Sequence, residues 1–441
     1  MFGTSGIRGP VGRTVTAELA LRIGRAVGCD ACTVVVGQDA RLSGDVLADA
    51  VSAGVRECGA NVVRLGVAST PTVARAVGWA GADAGIGITA SHNPAADNGL
   101  KLWTPSGRAF DKAQTRDIVH RLNRDEVSLA AWDEHGEERA WPDAATRHVS
   151  HLVSSFDDLD DVSVAFDLGN GTGRVSVDAL YELGATVNTI DAQQDGRFPA
   201  RKSEPNAETL TALRRTVPAL GADVGLAHDG DADRLVAVDE TGAYVPGDAL
   251  LALFARDAVS PGDAVAVPVD TSLLVQDVVE AAGGRVTYTP VGDVHVAEAV
   301  AEPGYVFGGE PSGAWIWPDE TLAPDGHYAA LTLADLVARG APLSEQVADL
   351  GGAGYATRRA SLSFDDKHQA MDRIARDIHA TYDEVDTIDG IRVDTDDGWF
   401  LVRASGTEPL VRITAEARDE DDADRLFEDV RSLVEGARIV V

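Results

Sequence analysis

The 441 residues are enough for about three domains at roughly 150 residues each, and a content of 44% hydrophobic and 25% charged residues excludes wholesale disorder. Asp and Glu number 71 against 38 Lys and Arg, a net charge of −33 that argues against nucleic acid as a partner. No run of about eighteen apolar residues occurs, so no membrane partner is expected either.

Along the chain, Gly3-Thr4-Ser5-Gly6-Ile7-Arg8-Gly9 is Gly-rich and basic where a signal peptide needs an apolar stretch, and a cytoplasmic protein is expected. Cys29 and Cys32 form a C-x-x-C, but no second pair or His cluster completes a zinc site. Cys32 leads directly into Thr33-Val34-Val35-Val36, so the pair reads as strand-edge residues. With Cys58 the cysteines are too few and odd in number for a disulfide framework, which suits a reducing compartment.

Three segments then repeat one plan. Each opens on a β-branched strand, at residues 33–37, 162–168 and 264–269. A helical stretch follows and closes on a glycine cap at Gly59, Gly184 or Gly283 before a second strand. A further short strand, at 85–89, 224–227 or 305–307, runs straight into a Gly-rich polar loop. Strands alternating with helices predict α/β domains with mixed or parallel sheets, and ligands collect beyond the carboxyl ends of such strands.

The tail breaks the plan. It reads as a strand (399–402), a loop (403–409), a strand (410–415) and an amphipathic helix (420–436). The expected organisation is three similar α/β domains over 1–150, 151–248 and 249–352, and a smaller α+β domain over 353–441. Linkers are expected at 133–143, at Pro246-Gly247-Asp248 and at Gly351-Gly352-Ala353-Gly354.

Four loops carry groups fit for phosphate chemistry. In Thr89-Ala90-Ser91-His92-Asn93-Pro94, Ser91 sits on a strand-to-loop turn with Lys101 nearby to neutralise an anion, a setting that suits a phosphoryl-carrying nucleophile; turns share the same residue types. In Asp229-Gly230-Asp231-Ala232-Asp233-Arg234, alternate residues of an extended segment would point three carboxylates at one Mg²⁺. A chain this acidic produces such an alternation by chance about twice. A calcium loop ending at Glu240 fails because Arg234 stands where its turn needs Gly. Gly308-Gly309-Glu310-Pro311-Ser312-Gly313 exposes a carboxylate and a hydroxyl suited to sugar hydroxyls. Arg403-Ala404-Ser405-Gly406-Thr407-Glu408-Pro409, with Arg412 beyond, combines bidentate donors with an anion nest.

Together, in this order and spacing from Gly3 to Arg412, these loops strongly resemble the α-D-phosphohexomutase family. The resemblance implies a four-domain enzyme around a central cleft. It implies that Ser91 is phosphorylated and that Asp229, Asp231 and Asp233 bind Mg²⁺ with a phosphoserine oxygen. Glu310 and Ser312 would hold sugar hydroxyls, and Arg403, Ser405, Gly406, Thr407 and Arg412 the distal phosphate. Arg8, Lys101 and Arg234 would counter negative charge while phosphate passes from Ser91 to a sugar monophosphate through a sugar 1,6-bisphosphate, which also serves as primer. Bacterial members usually have His after the sugar loop's Ser-Gly, whereas this chain has Ala314, which leaves Arg8, Lys101 or His92 for proton transfer. Compact length and the Val291-Gly292-Asp293 turn look most like the phosphoglucosamine mutases and their archaeal relatives; a phosphomannomutase/phosphoglucomutase is the near alternative.

Two readings from other classes compete. A catalytically silent sugar-phosphate-binding protein would be expected to have lost its nucleophile, and Ser91 is intact. A phosphatase with Asp229 as nucleophile is opposed by Arg234 and by the lack of Thr after Asp231. The charge excess, with only Lys101, Lys112, Lys202 and Lys367 as lysines, fits a saline cytoplasm whose short Debye length screens self-repulsion.

Overall fold

A computed structural model describes residues 6–124, 126–351, 354–405 and 409–437. The β-branched runs form strands as their composition requires, and the chain builds four sheets in succession. The first contains β1 (Ile7–Pro10), β2 (Thr33–Gln38), β3 (Asn61–Val67), β4 (Ala84–Ile88), β5 (Asp97–Trp103) and β6 (Glu138–Ala140), in the order β1-β5-β4-β2-β3-β6. β2 lies parallel to β3 and β4, while β5 runs antiparallel to both β1 and β4.

The second sheet has β7 (Ser163–Asp167), β8 (Thr186–Ile190), β9 (Val224–His228) and β10 (Leu235–Asp239), ordered β10-β9-β7-β8. The third has β11 (Ala264–Pro268), β12 (Arg285–Thr289), β13 (Tyr305–Glu310) and β14 (Ala314–Ile316), ordered β12-β11-β13-β14. In both, the central strand pairs in parallel and one edge pair is antiparallel. The fourth sheet, β15 (Ala356–Ser363), β16 (Ile391–Asp394), β17 (Gly398–Ala404) and β18 (Leu410–Ala417), is antiparallel throughout and covered by the helices Lys367–Thr381 and Glu420–Gly436.

Packing divides the chain unevenly. The second and third sheets share one apolar core, running from Val149 and Phe166 through Phe254 to Trp315 and Leu350. The first sheet packs its two faces into separate clusters, around Val34 and Ile86 and around Val73 and Trp103. The fourth sheet has its own core and meets the third through a small patch of Val269, Leu273, Trp399 and Leu401. Buried Glu416 reinforces that patch by accepting from Ser272 Oγ (3.0 Å) and Leu273 N (2.7 Å).

Several expectations need correction. Part of the 133–143 segment is no linker: β6 extends the first sheet in parallel with β3, and its Glu-Arg-Ala sequence, exposed throughout, carries no apolar signal. Pro246 caps the helix Gly247–Ala258, so that turn opens a core helix. Gly308, Gly309 and Glu310 lie in β13, not in the loop after it. Cys32 stands at the edge of β2 as expected, but Cys29 caps the helix Ala17–Gly28, and its sulfur lies 3.2 Å from that of Cys58, both thiols free, because the helices Ala17–Gly28 and Gly44–Glu57 end side by side.

Candidate active site

Ser91 follows β4 with φ of 50°, a left-handed conformation that costs a non-glycine residue energy unless its surroundings impose it. Here they do. Its amide donates to Thr89 Oγ1 (2.8 Å), and its carbonyl accepts from Arg41 Nη2 (2.8 Å). Arg41 is wholly buried and also donates to the carbonyls of Asn93 (2.7 Å), Pro94 (2.6 Å) and Asp97 (2.9 Å), while its Nε meets Asp39 at 3.0 Å. One guanidinium thus gathers the whole loop. The outcome is that Ser91 Oγ donates to Asp229 Oδ2 at 2.7 Å.

The three carboxylates do converge, but not by extended alternation. β9 and β10 pair with Leu235 opposite His228, so residues 229–234 form a closed turn, and Ala232 adopts φ of 57°. The turn brings one oxygen from each of Asp229, Asp231 and Asp233 within 4.8 Å of the others, all buried. Asp231 Oδ2 accepts from Thr70 Oγ1 (2.6 Å), Thr89 Oγ1 (2.9 Å) and Lys101 Nζ (3.3 Å), and Asp233 Oδ2 accepts from Lys101 (2.5 Å). The remaining oxygens, Oδ1 of Asp231 and of Asp233, are buried without a hydrogen-bond partner. Buried, unpartnered carboxylate oxygens within a three-aspartate cluster are what a hard divalent cation satisfies, so the donor set fits Mg²⁺.

The electrostatics agree. Burial, then repulsion from Asp233 and Asp231, pushes Asp229 well above the usual carboxylate range, and burial and Asp231 raise Asp233. Burial would raise Asp231 too, but Lys101, Thr70 and Arg8 hold it below the range. Burial would lower Lys101, yet Asp231 and Asp233 overcome it and keep the ammonium charged. His92 Nδ1 lies 3.3 Å from Ser91 Oγ; burial, then Arg234 and Arg8, lower its pKa to about 3, so at neutral pH the ring is uncharged. Arg8, on β1 opposite Gly99, has a buried Nε with no hydrogen-bond partner.

The sugar-loop residues adjoin this turn. Glu310 Oε1 accepts from Gly292 N (2.7 Å), and Oε2 accepts from Ser312 Oγ (3.1 Å). Burial, then Asp293, raises Glu310 to about 7, with Arg234 opposing. Arg234 is half-buried near Asp229, Asp233, Glu310 and Asp293, whose charges outweigh desolvation and keep it cationic. Arg234 also bridges to Ala314, and Leu235 N donates to Gly313 O at 3.0 Å, so the two loops are stitched together.

In the fourth sheet Arg403 and Arg412 face each other across β17 and β18. Asp389 holds Arg403 Nε at 3.3 Å and accepts from Val291 N at 3.1 Å, next to the amide that serves Glu310. Ser405 N donates to Leu410 O (2.8 Å). Gly406 and Thr407 lie outside the described residues, as do Gly3, Thr4 and Ser5. Arg41, Thr70, Asp293 and Asp389 were not read from the sequence. Only Arg41, a lone cation directly after the strand and beside Asp39, carried a local signal.

Three sheets that bring polar loops to one serine-and-carboxylate centre, with a fourth joined to the third beside Gly292, define a phosphoryl-transfer class of α/β enzyme. The sequence matches Phosphoglucomutase/phosphomannomutase alpha/beta/alpha domain I over residues 1–128, domain II over 146–242, domain III over 246–351 and the C-terminal domain over 358–433. The chain belongs to the phosphoglucomutase/phosphomannomutase family. It is 44% identical to a probable phosphoglucosamine mutase of Methanopyrus kandleri, with 99% of each chain covered. A probable phosphoglucosamine mutase of Methanococcoides burtonii is 41% identical, again over 99% of each. Among solved structures, a phosphoglucomutase/phosphomannomutase family protein of Burkholderia thailandensis superposes with a TM-score of 0.88 at 29% identity, over 99% of this chain and 98% of that one.

Proposed function

We propose that the protein interconverts hexosamine 6-phosphate and 1-phosphate, glucosamine phosphate first, through a phosphoserine at Ser91 and a sugar 1,6-bisphosphate. The observation that carries this is the Ser91 Oγ contact with Asp229 inside a buried three-carboxylate turn that leaves two oxygens unmatched. Archaeal relatives named as probable phosphoglucosamine mutases over nearly their full length support the choice of sugar.

In this reading Asp229, Asp231, Asp233 and an oxygen of phosphorylated Ser91 hold Mg²⁺, which supplies charge neutralisation at the transferred phosphoryl group. Arg41 and Thr89 orient the serine, while Lys101, Arg8 and Arg234 counter charge as the bond from phosphorus to Ser91 Oγ breaks, a bond to a sugar hydroxyl forms, and the proton that hydroxyl loses ends on Ser91 Oγ. Glu310 and Ser312 orient the sugar, and Arg403, Ser405, Gly406, Thr407 and Arg412 grip the phosphate that does not react. After the bisphosphate turns over, its other phosphate returns to Ser91. His92, an uncharged imidazole 3.3 Å from Ser91 Oγ, orients the serine.

The test compares kcat/KM for glucosamine, glucose and mannose phosphates in high salt with Mg²⁺ and a trace of bisphosphate. Glucosamine 6-phosphate is expected to lead, with measurable side activity on the others, because no residue identified here reads carbon 2. A strong mannose or glucose preference would overturn the sugar. Full turnover by Ser91→Ala would overturn the mechanism.

A further inference from the structure

Behind the carboxylate turn runs a line of buried histidines and hydroxyls that touches neither serine nor sugar loop. It ends at the Arg234 carbonyl, which closes the turn and accepts from His228 Nδ1 at 2.7 Å. His228 Nε2 lies 2.8 Å from Ser176 Oγ, which lies 2.7 Å from His327 Nδ1. His327 Nε2 lies 2.8 Å from Ser69 Oγ, Ser69 lies 2.7 Å from Thr72 Oγ1, and Thr72 lies 2.9 Å from His148 Nδ1. All six side chains are at most 2% exposed.

The proton direction follows from the end point, because a carbonyl only accepts. His228 must therefore donate through Nδ1, and in that neutral tautomer its Nε2 accepts from Ser176. Ser176 has then spent its one proton and accepts from His327 Nδ1. Burial holds His327 well below its usual value, so its Nε2 accepts from Ser69, which accepts from Thr72. Every donor points the same way, toward the turn, and no member can be lost without stranding the next.

The line grips the turn twice. Ser69 caps the helix Thr70–Trp79, and the adjoining Thr70 donates its amide to Asp231 O (2.9 Å) and its hydroxyl to Asp231 Oδ2 (2.6 Å). His327 begins the helix Gly326–Arg339, whose Gly326 abuts the carbonyls of Ala232 and Arg234 so closely that a Cβ would sit 2.7 and 2.6 Å from them. Helices packed on three different sheets thus meet on one proton-ordered line.

We propose that Ser69, Ser176 and His327 are positioning residues that hold Asp229, Asp231 and Asp233 in cation-binding geometry; the proposal rests on reading that turn as a Mg²⁺ site. Outer partners of metal ligands typically govern affinity by 10- to 100-fold.

The experiment titrates Mg²⁺ into the full-length protein by calorimetry and follows the Mg²⁺-induced rise in melting temperature. Ser176→Ala and Ser69→Ala are expected to bind Mg²⁺ about tenfold more weakly and Ser69→Thr to restore affinity, with KM for sugar phosphate within about twofold throughout. Thr332→Val removes a buried hydroxyl from the helix that carries His327, where it donates to Tyr328 O (2.9 Å), and is expected to lower the melting temperature without changing Mg²⁺ affinity. Wild-type Mg²⁺ affinity in either alanine variant that folds, or an equal loss in Thr332→Val, would overturn the proposal. Failure of the wild type to bind Mg²⁺ would instead remove the cation site itself.

Discussion

Replacing Arg41 by Met tests whether one buried guanidinium sets the Ser91 loop. The substitution keeps much of the side-chain volume but removes the charged donor that the carbonyls of Ser91, Asn93, Pro94 and Asp97 share, leaving Ser91 and Asn93 only the Ser203 hydroxyl at 3.3 Å, and leaves Asp39 without its cation. Breaking a fully buried ion pair costs about 3–5 kcal/mol. Asp39 moderates this, because burial already raises its pKa to about 6 against the pull of Arg41, and without that arginine it takes up a proton. A loss of about 4 kcal/mol, at roughly 4 °C per kcal/mol for a unit of this size, predicts that the first melting transition falls by about 15 °C. The serine loses more than stability: without the guanidinium on its carbonyl the φ of 50° is held only by neutral Thr89 and Ser203 and by Asp229 itself, so Oγ aims less firmly at Asp229. Calorimetry and mass-spectrometric phosphate stoichiometry at Ser91, in wild type, Arg41→Met and Arg41→Lys, read both effects, with Lys expected between the two. A melting shift under about 3 °C, with unchanged phosphorylation, would refute the idea that this side chain organises the loop.

Three further outcomes are expected. Glu310 takes up a proton on folding between its unperturbed value of 4.5 and about 7, so its ionisation removes stability as pH rises through that window; Glu310→Gln should gain up to about 3 kcal/mol over wild type at pH 8 and nothing at pH 4 in chemical denaturation, while losing sugar turnover. Arg403→Ala should lower kcat/KM by at least about tenfold, since remote phosphate binding positions the reacting hydroxyl, and a value near wild type would show that the fourth sheet does not hold substrate. Melting temperature should climb from dilute to molar KCl as screening relieves the −33 net charge, and equal values would refute salt adaptation.

The opening strands of the three α/β repeats were legible because fully buried parallel strands need near-continuous apolar runs, and β2, β7 and β11 have them. β6 was not, because an exposed edge strand buries nothing and its residues obey no alternation. Ser91 and the three aspartates were legible as chemistry but not as geometry: spacing suggested an extended ligand row, whereas a left-handed Ala232 folds it into a turn. Cys58 lay too far along the chain to be matched with Cys29, which only helix pairing brings close. The histidine line was invisible for the same reason, since its members come from helices and a strand spread between residues 69 and 327.

The single core beneath the second and third sheets bears on how a bound intermediate turns around. Prising those sheets apart would expose Phe166, Phe254, Trp315 and their neighbours to water, and fully burying one such side chain is worth about 1.5–3 kcal/mol. The walls that carry Asp229 and Glu310 therefore travel as one block, and the gap between the cation turn and the sugar loop is a fixed length. The fourth sheet shares a smaller apolar patch with the third and is otherwise held by polar contacts: Glu416 with Ser272, Asp389 with Val291, Arg392 with the Val269 carbonyl, and Arg418 and Tyr355 with Asp277. Swinging it outward is the inexpensive coordinate. A bisphosphate exchanging its two ends would hence pivot against a stationary anvil while one hinged jaw lets go and closes again, and the turnover rate would be set at that jaw.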